Sequence, residues 1–313
     1  MSKFDFKKLL DKKYRKVHIS ILVGLVVVVG LIVGLALAGN QNDPVEKTYT
    51  LAIAVDSAVS SNNNKVSNTA LVLVLDEAGK IVAARFDSSE VTPAAGEEGN
   101  LAAVASVQTK VEKGDAYTGM AAGSWAKQTK AFEDYIVGKT PAEVATLDTS
   151  LIAGCTMASS TATFKALVAK AAASTQKVTF KTTEAITTGV AISTAVSGKK
   201  VTADFAGVVM AGGKVVATMI DSCEQSFTVE EGVVVAGELK VSKNEQGEAY
   251  SGMPAGPWYK QAQAFANSTV GKTAAELENL ETVSDALAAA GCTMKNTTAG
   301  YKATIIKAVG YAR

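Results

Sequence analysis

Residues Gly114–Val144, GDAYTGMAAGSWAKQTKAFEDYIVGKTPAEV, recur at Gly247–Leu277 as GEAYSGMPAGPWYKQAQAFANSTVGKTAAEL, without a gap. A period above 100 residues is too long for a solenoid and suits tandem globular units. The match extends both ways. GKIVAARFDSSE from Gly79 resembles GKVVATMIDSCE from Gly213, and the phrase AGCTM stands at Ala153–Met157 and again at Ala290–Met294. The repeat decides the fold: two homologous domains, over 47–174 and 178–313, with the junction near ASTQK.

Within one copy the order is strands, then helices. TALVLVLD and KIVAARFD flank EAG as a hairpin, and TADFAGVVM and KVVATMID flank AGG in the second copy. A further strand, VASVQTKVE or GELKVSK, leads into the Tyr-x-Gly-Met segment. Trp125, Thr129, Phe132 and Ile136 then recur at helical spacing, as do Trp258, Ala262, Phe265 and Thr269. VGKT resembles a phosphate loop, but the glycine that motif needs five residues earlier is Glu133 or Ala266. Gly138 instead ends one helix, and Thr140, Pro141 and Glu143 open the next as a capping box; Thr273 and Glu276 repeat the device. A last helix places Phe164, Leu167 and Val168, or Tyr301, Ile305 and Ile306, on one face. The pattern is α+β, each domain an antiparallel sheet with C-terminal helices.

The 313 residues carry a net charge of +1 that is unevenly spread. Seven of the 31 basic and two of the 30 acidic residues lie in the first 40, which leaves 24 against 28 beyond. No basic stripe remains there to neutralise phosphates, so no nucleic-acid partner is expected. Ile19–Ala38, ISILVGLVVVVGLIVGLALA, holds no charge and is long enough to span a hydrocarbon core. It predicts a transmembrane anchor over 18–39, behind a basic cytoplasmic tail over 1–17, with the bulk of the chain extracytoplasmic: a single-pass cell-membrane protein. The run exceeds a secretory signal core, the rival reading suggested by ALA before Gly39. His18 is the only histidine, which removes Ser-His-Asp and Cys-His arrangements and histidine-based metal sites.

The hairpin GKIVxxxxxD, followed much later by a small-Gly-small-Thr turn and a helix, resembles the FMN-binding domain family of exported flavoproteins and of subunits of sodium-pumping NADH:quinone oxidoreductases. In that family the threonine of Asp-x-x-Ser-Gly-Ala-Thr can be joined to the FMN phosphate by a separate transferase. The resemblance makes Thr156 and Thr293, with Gly154 and Gly291, the candidate phosphate or attachment residues. It implies FMN as cofactor, with a flavin transferase and a redox partner. Here Ala153 and Ala290 replace the family serine, Cys155 and Cys292 its alanine, and Ser150 and Leu287 its aspartate.

A glycine and a hydroxyl at the mouth of a helix suit a phosphate. Tyr117, Met120 and Trp125, with Tyr250, Met253 and Trp258, have two readings: a face for a flavin ring, or core anchors under the loop. Cys155 and Cys292 read as buried hydrophobes or as redox groups. No acid–base pair stands out, so no substrate reaction of its own is expected. The sequence thus points to a membrane-anchored electron carrier with two flavin-domain-like modules, or to a cofactor-free surface, adhesion or assembly protein. A receptor using the cleft between the copies is a third reading.

Overall fold

The computed structural model describes residues 45–313 except Gly119. Among these residues nine strands form two antiparallel sheets: β1 Lys47–Val59, β2 Val66–Asp76, β3 Ile81–Val91, β4 Val104–Val107, β5 Val178–Thr182, β6 Ile186–Ser197, β7 Lys200–Ala211, β8 Lys214–Glu230 and β9 Val233–Ala236. Both hairpins read from the sequence are present, as β2–β3 and β7–β8. The first sheet runs β3-β2-β1-β5 and the second β4-β6-β7-β8-β9. The repeats therefore exchange strands. β5, from the second repeat, extends the first sheet along β1, and β4, from the first repeat, pairs with β6 in the second.

Alternation along the strands explains the layering. On β1, Ala52 and Ala54 face one core while Leu51, Ile53 and Val55 face another. The inner core lies between the sheets, where Val55, Val72 and Val74 meet Ile192, Phe205 and Met219. Each outer face carries its own repeat's helices. On the first sheet these include α1 Lys110–Lys113, α2 Trp125–Ile136, α3 Pro141–Ala145 and α4 Ala158–Ala173; on the second, α5 Lys243–Gln246, α6 Trp258–Asn267, α7 Ala274–Glu278, α8 Asp285–Ala289 and α9 Thr298–Gly310. The result is a four-layer α/β/β/α sandwich, and Glu46–Arg313 forms one compact unit.

Two glycines allow the close approaches. A Cβ on Gly207 would lie 2.4 Å from Val72 Cγ2 across the sheets. On Gly189 a Cβ would meet the Ala308 carbonyl, so α9 can lie against β6 only because that position carries no side chain. The capping boxes form as read: Thr140 with Glu143 and Pro141 at N1, and Thr273 with Glu276.

Two expectations are corrected. A membrane-spanning helix ahead of the two domains is not supported: among the described residues no helix is long and apolar enough to cross a membrane. The segment expected to span, 18–39, the tail over 1–17 and His18 lie outside the described residues. GELKVSK also forms no strand, unlike its counterpart β4. Gly237 still donates its N–H to the Ser226 carbonyl in the β8–β9 register, but its carbonyl accepts from the Gln225 side-chain amide, and the ladder ends there.

Candidate functional site

The repeat builds the same arrangement twice. In the first copy the AYTGM loop wraps a lysine: Lys110 Nζ stands 5.1 Å from the Tyr117 ring centre, 5.6 Å from that of Trp125 and 2.8 Å from Glu90 Oε1. In the second, Lys243 Nζ lies 5.1 Å from Tyr250, 5.5 Å from Trp258 and 2.6 Å from Glu224 Oε1. Ring faces attract the ammonium through their quadrupoles, and the carboxylate neutralises it. Burial lowers the Lys243 pKa, but Tyr301 and Glu224 outweigh it and hold the group above the ordinary lysine range. Both tryptophans are buried and pack edge-on against Phe164 and Tyr301. Met120 and Met253 pack half-buried against the same cores.

The AGCTM turns join these loops through a buried glutamine. Gln128 Oε1 accepts both the Thr156 N–H (2.7 Å) and its hydroxyl (3.1 Å), while Gln128 Nε2 donates to the Gly123 carbonyl. Gln261 does the same for Thr293, at 2.9 Å for each bond, and donates to Gly256. Gly154 and Gly291 take φ of +79° and +96°, the left-handed backbone that turns the phrase toward the helix. Cys155 and Cys292 are free and belong to separate cores, and burial raises both thiol pKa values. Cys223, the counterpart of Ser89, is a free thiol buried between the sheets.

The structure therefore brings the sequence-selected residues together within each copy, but around a lysine and a glutamine of the chain itself. These residues do not fit FMN. The aromatic faces that would stack on the ring hold Lys110 and Lys243, and both threonine hydroxyls are turned to a glutamine carbonyl. The N-terminus of α4 has no side-chain cap, yet the hydroxyl meant to bring a phosphate to it points at Gln128. Lys110, Lys243, Gln128 and Gln261 are themselves conserved between the two copies, which was the signal available for them.

A different feature emerges where the repeats meet. A cleft of about 610 Å3 lies between β1 and the end of α4 on one side and β8, α5 and Tyr259 on the other. Lys170 crosses it, donating to the Val55 carbonyl at 2.5 Å and pairing with Glu245 at 2.5 Å. Asp221 forms part of its wall and accepts N–H bonds from Ser222 (2.8 Å) and Asn244 (3.0 Å), at the start of α5. Asp87 is its counterpart, with bonds from Ser88 (2.7 Å) and Val111 (3.2 Å). Burial pushes both aspartates up to about 7, against the pull of those hydrogen bonds.

Sheet register makes the two halves comparable position by position. Val55 pairs with Ala70 and Ala70 with Asp87; Ile192 pairs with Phe205 and Phe205 with Asp221. Lys307 repeats the role of Lys170, donating to the Ile192 carbonyl at 2.7 Å and pairing with Glu112 at 2.8 Å. The halves differ in what lies beside this pair. Tyr311 reaches Glu112 with its hydroxyl at 3.5 Å, and Arg313 exchanges two backbone bonds with Thr188 while its guanidinium meets Glu133 at 2.8 Å. Arg85, the counterpart of Met219, binds Glu133 and the Arg313 carbonyl. Ser174 stands where Tyr311 does, each capping its helix, and Ala266 stands for Glu133. One half is thus filled by the C-terminal residues, while its mate is open.

The fold and site together define a two-repeat, strand-exchanged α/β/β/α sandwich with an open cleft at the junction of its repeats. No protein-family model, curated protein or solved structure matches the chain.

Proposed function

We propose that the protein is a recognition module with no reaction of its own, binding its ligand or partner in the cleft where the two repeats meet. The observation that carries this reading is the asymmetry of the junction: Ser174 and Met219 line an open cleft in one half where Tyr311 and Arg85, tied to Glu112 and Glu133, stand in the other. Its volume of about 610 Å3 lies within the usual range for small-ligand sites. Apolar walls from Val55, Ala173 and Met219 alternate with a few convergent polar groups, as recognition requires.

Methyl NMR of the full chain tests this directly. Met219 lines the cleft, whereas Met120 and Met253 belong to the outer cores. Addition of a mixed set of peptides and small polar aromatics is expected to move the Met219 signal and leave those of Met120 and Met253 in place. A Met219 signal unmoved by every compound would sink the proposal. FMN is expected to leave tryptophan fluorescence unchanged; quenching reversed by Trp125→Phe or Trp258→Phe would return the flavin reading.

A further inference from the structure

We infer that the junction cleft recognises a phenol, the chemistry of a tyrosine side chain, with its hydroxyl directed at Glu245. This rests on the cleft being a binding site and goes on to name what it takes. The molecule carries its own template. In the filled half the Tyr311 ring stands beside the ion pair of Lys307 and Glu112, its hydroxyl donating toward Glu112 Oε1 at 3.5 Å. The open half repeats the acceptor and its lysine as Glu245 and Lys170 but puts the small Ser174 in place of the tyrosine. An aromatic guest entering there would restore the arrangement that the other repeat builds with its own chain.

The lining agrees with such a guest. Ala173 and the half-buried Tyr259 offer apolar and aromatic surface for a ring, with Met219, itself buried, in the wall. Glu245 and Glu248 are acceptors in this lining and Lys170 is held by Glu245, so the favoured ligand brings a donor. Glu248 is engaged by Tyr259 and Lys260, both at 2.8 Å, and Glu245 by Lys170 and Ser242; Glu245 is singled out because it is the counterpart of the Glu112 that Tyr311 uses beside Lys307.

The test is a titration of the full chain with N-acetyl-tyrosinamide, read at the Met219 methyl signal. The expected result is saturable binding, with N-acetyl-phenylalaninamide roughly tenfold weaker for want of one hydrogen bond to a carboxylate. Ser174→Tyr should fill the cleft from within and abolish the response. Tyr311→Ala combined with Arg85→Met should open the mate cleft and produce a second binding event, read at the methyl signal placed at position 85, so the idea stays testable even if Ser174→Tyr fails to fold. The tripeptide Tyr-Ala-Arg, which copies residues 311–313, binds more tightly than the amide if the natural source is a peptide and equally if it is a small phenol; either outcome supports phenol recognition. Equal affinity for N-acetyl-leucinamide, or other compounds moving Met219 while the phenol does not, would overturn the inference and leave the cleft standing. No response to any compound would remove both.

Discussion

Lys243 is 5 % exposed, and its ammonium sits between two rings and a carboxylate. Lys243→Met removes the cation while Glu224 keeps only the more exposed Lys200, so a loss of about 3 kcal/mol is expected in urea unfolding. A neutral result would mean that the rings, not the charge, hold the loop. Asp87 and Asp221 carry much of the pH response. An unfolded aspartate titrates near 3.9, and both folded groups are raised to about 7 by burial. Between those values the folded state binds more protons, so stability falls as pH rises, by roughly 4 kcal/mol per group across the window. Unfolding at pH 5 and pH 8 is expected to show the higher midpoint at pH 5, and Asp87→Asn with Asp221→Asn should reduce the difference, leaving the part due to Asp204, raised to about 6 by burial, and to Glu133, raised likewise. At this scale the sequence singled out Tyr117, Trp125, Thr156 and their counterparts as a cluster, but not what they surround. Lys110 and Gln128 were not singled out, because only tertiary packing turns them inward.

At the scale of the elements, helix starts and hairpins were legible because their determinants are local. Thr140 to Glu143 needs only a three-residue reach, and the faces carrying Trp125, Phe132, Phe164 and Tyr301 need only a helical period. β1 and β6 were missed. Both of their faces are buried, so TLAIAV and VAIS carry little polar alternation to mark them. GELKVSK was assigned to a strand because nothing local shows that the Gln225 side chain claims the carbonyls at its start. The packing of α9 on β6 depends on Gly189. Gly189→Ala places a methyl against the Ala308 carbonyl and is expected to cost about 3 kcal/mol, seen as a lower Tm with secondary structure retained. A Tm unchanged within a degree would show that α9 is free to shift outward.

For the whole molecule, strand exchange makes the repeats interdependent. A chain ending at Ser174 lacks β5 and the second sheet, and so exposes Leu51, Ile53, Val55, Val72 and Val74 to water. Such a single repeat is expected to associate or fail to unfold cooperatively, and a soluble monomer with a sharp denaturation transition would contradict that. The sequence by itself determined the repeat, the strand-then-helix order and the capped helix ends, since each follows from local spacing or from comparing two segments of one chain. Only the tertiary structure decided that β4 and β5 cross between sheets, that lysines occupy the aromatic faces, and that one junction stays open. Those outcomes depend on which distant surfaces bury one another, and burial is shared between residues more than 100 positions apart. No local pattern in either repeat records it.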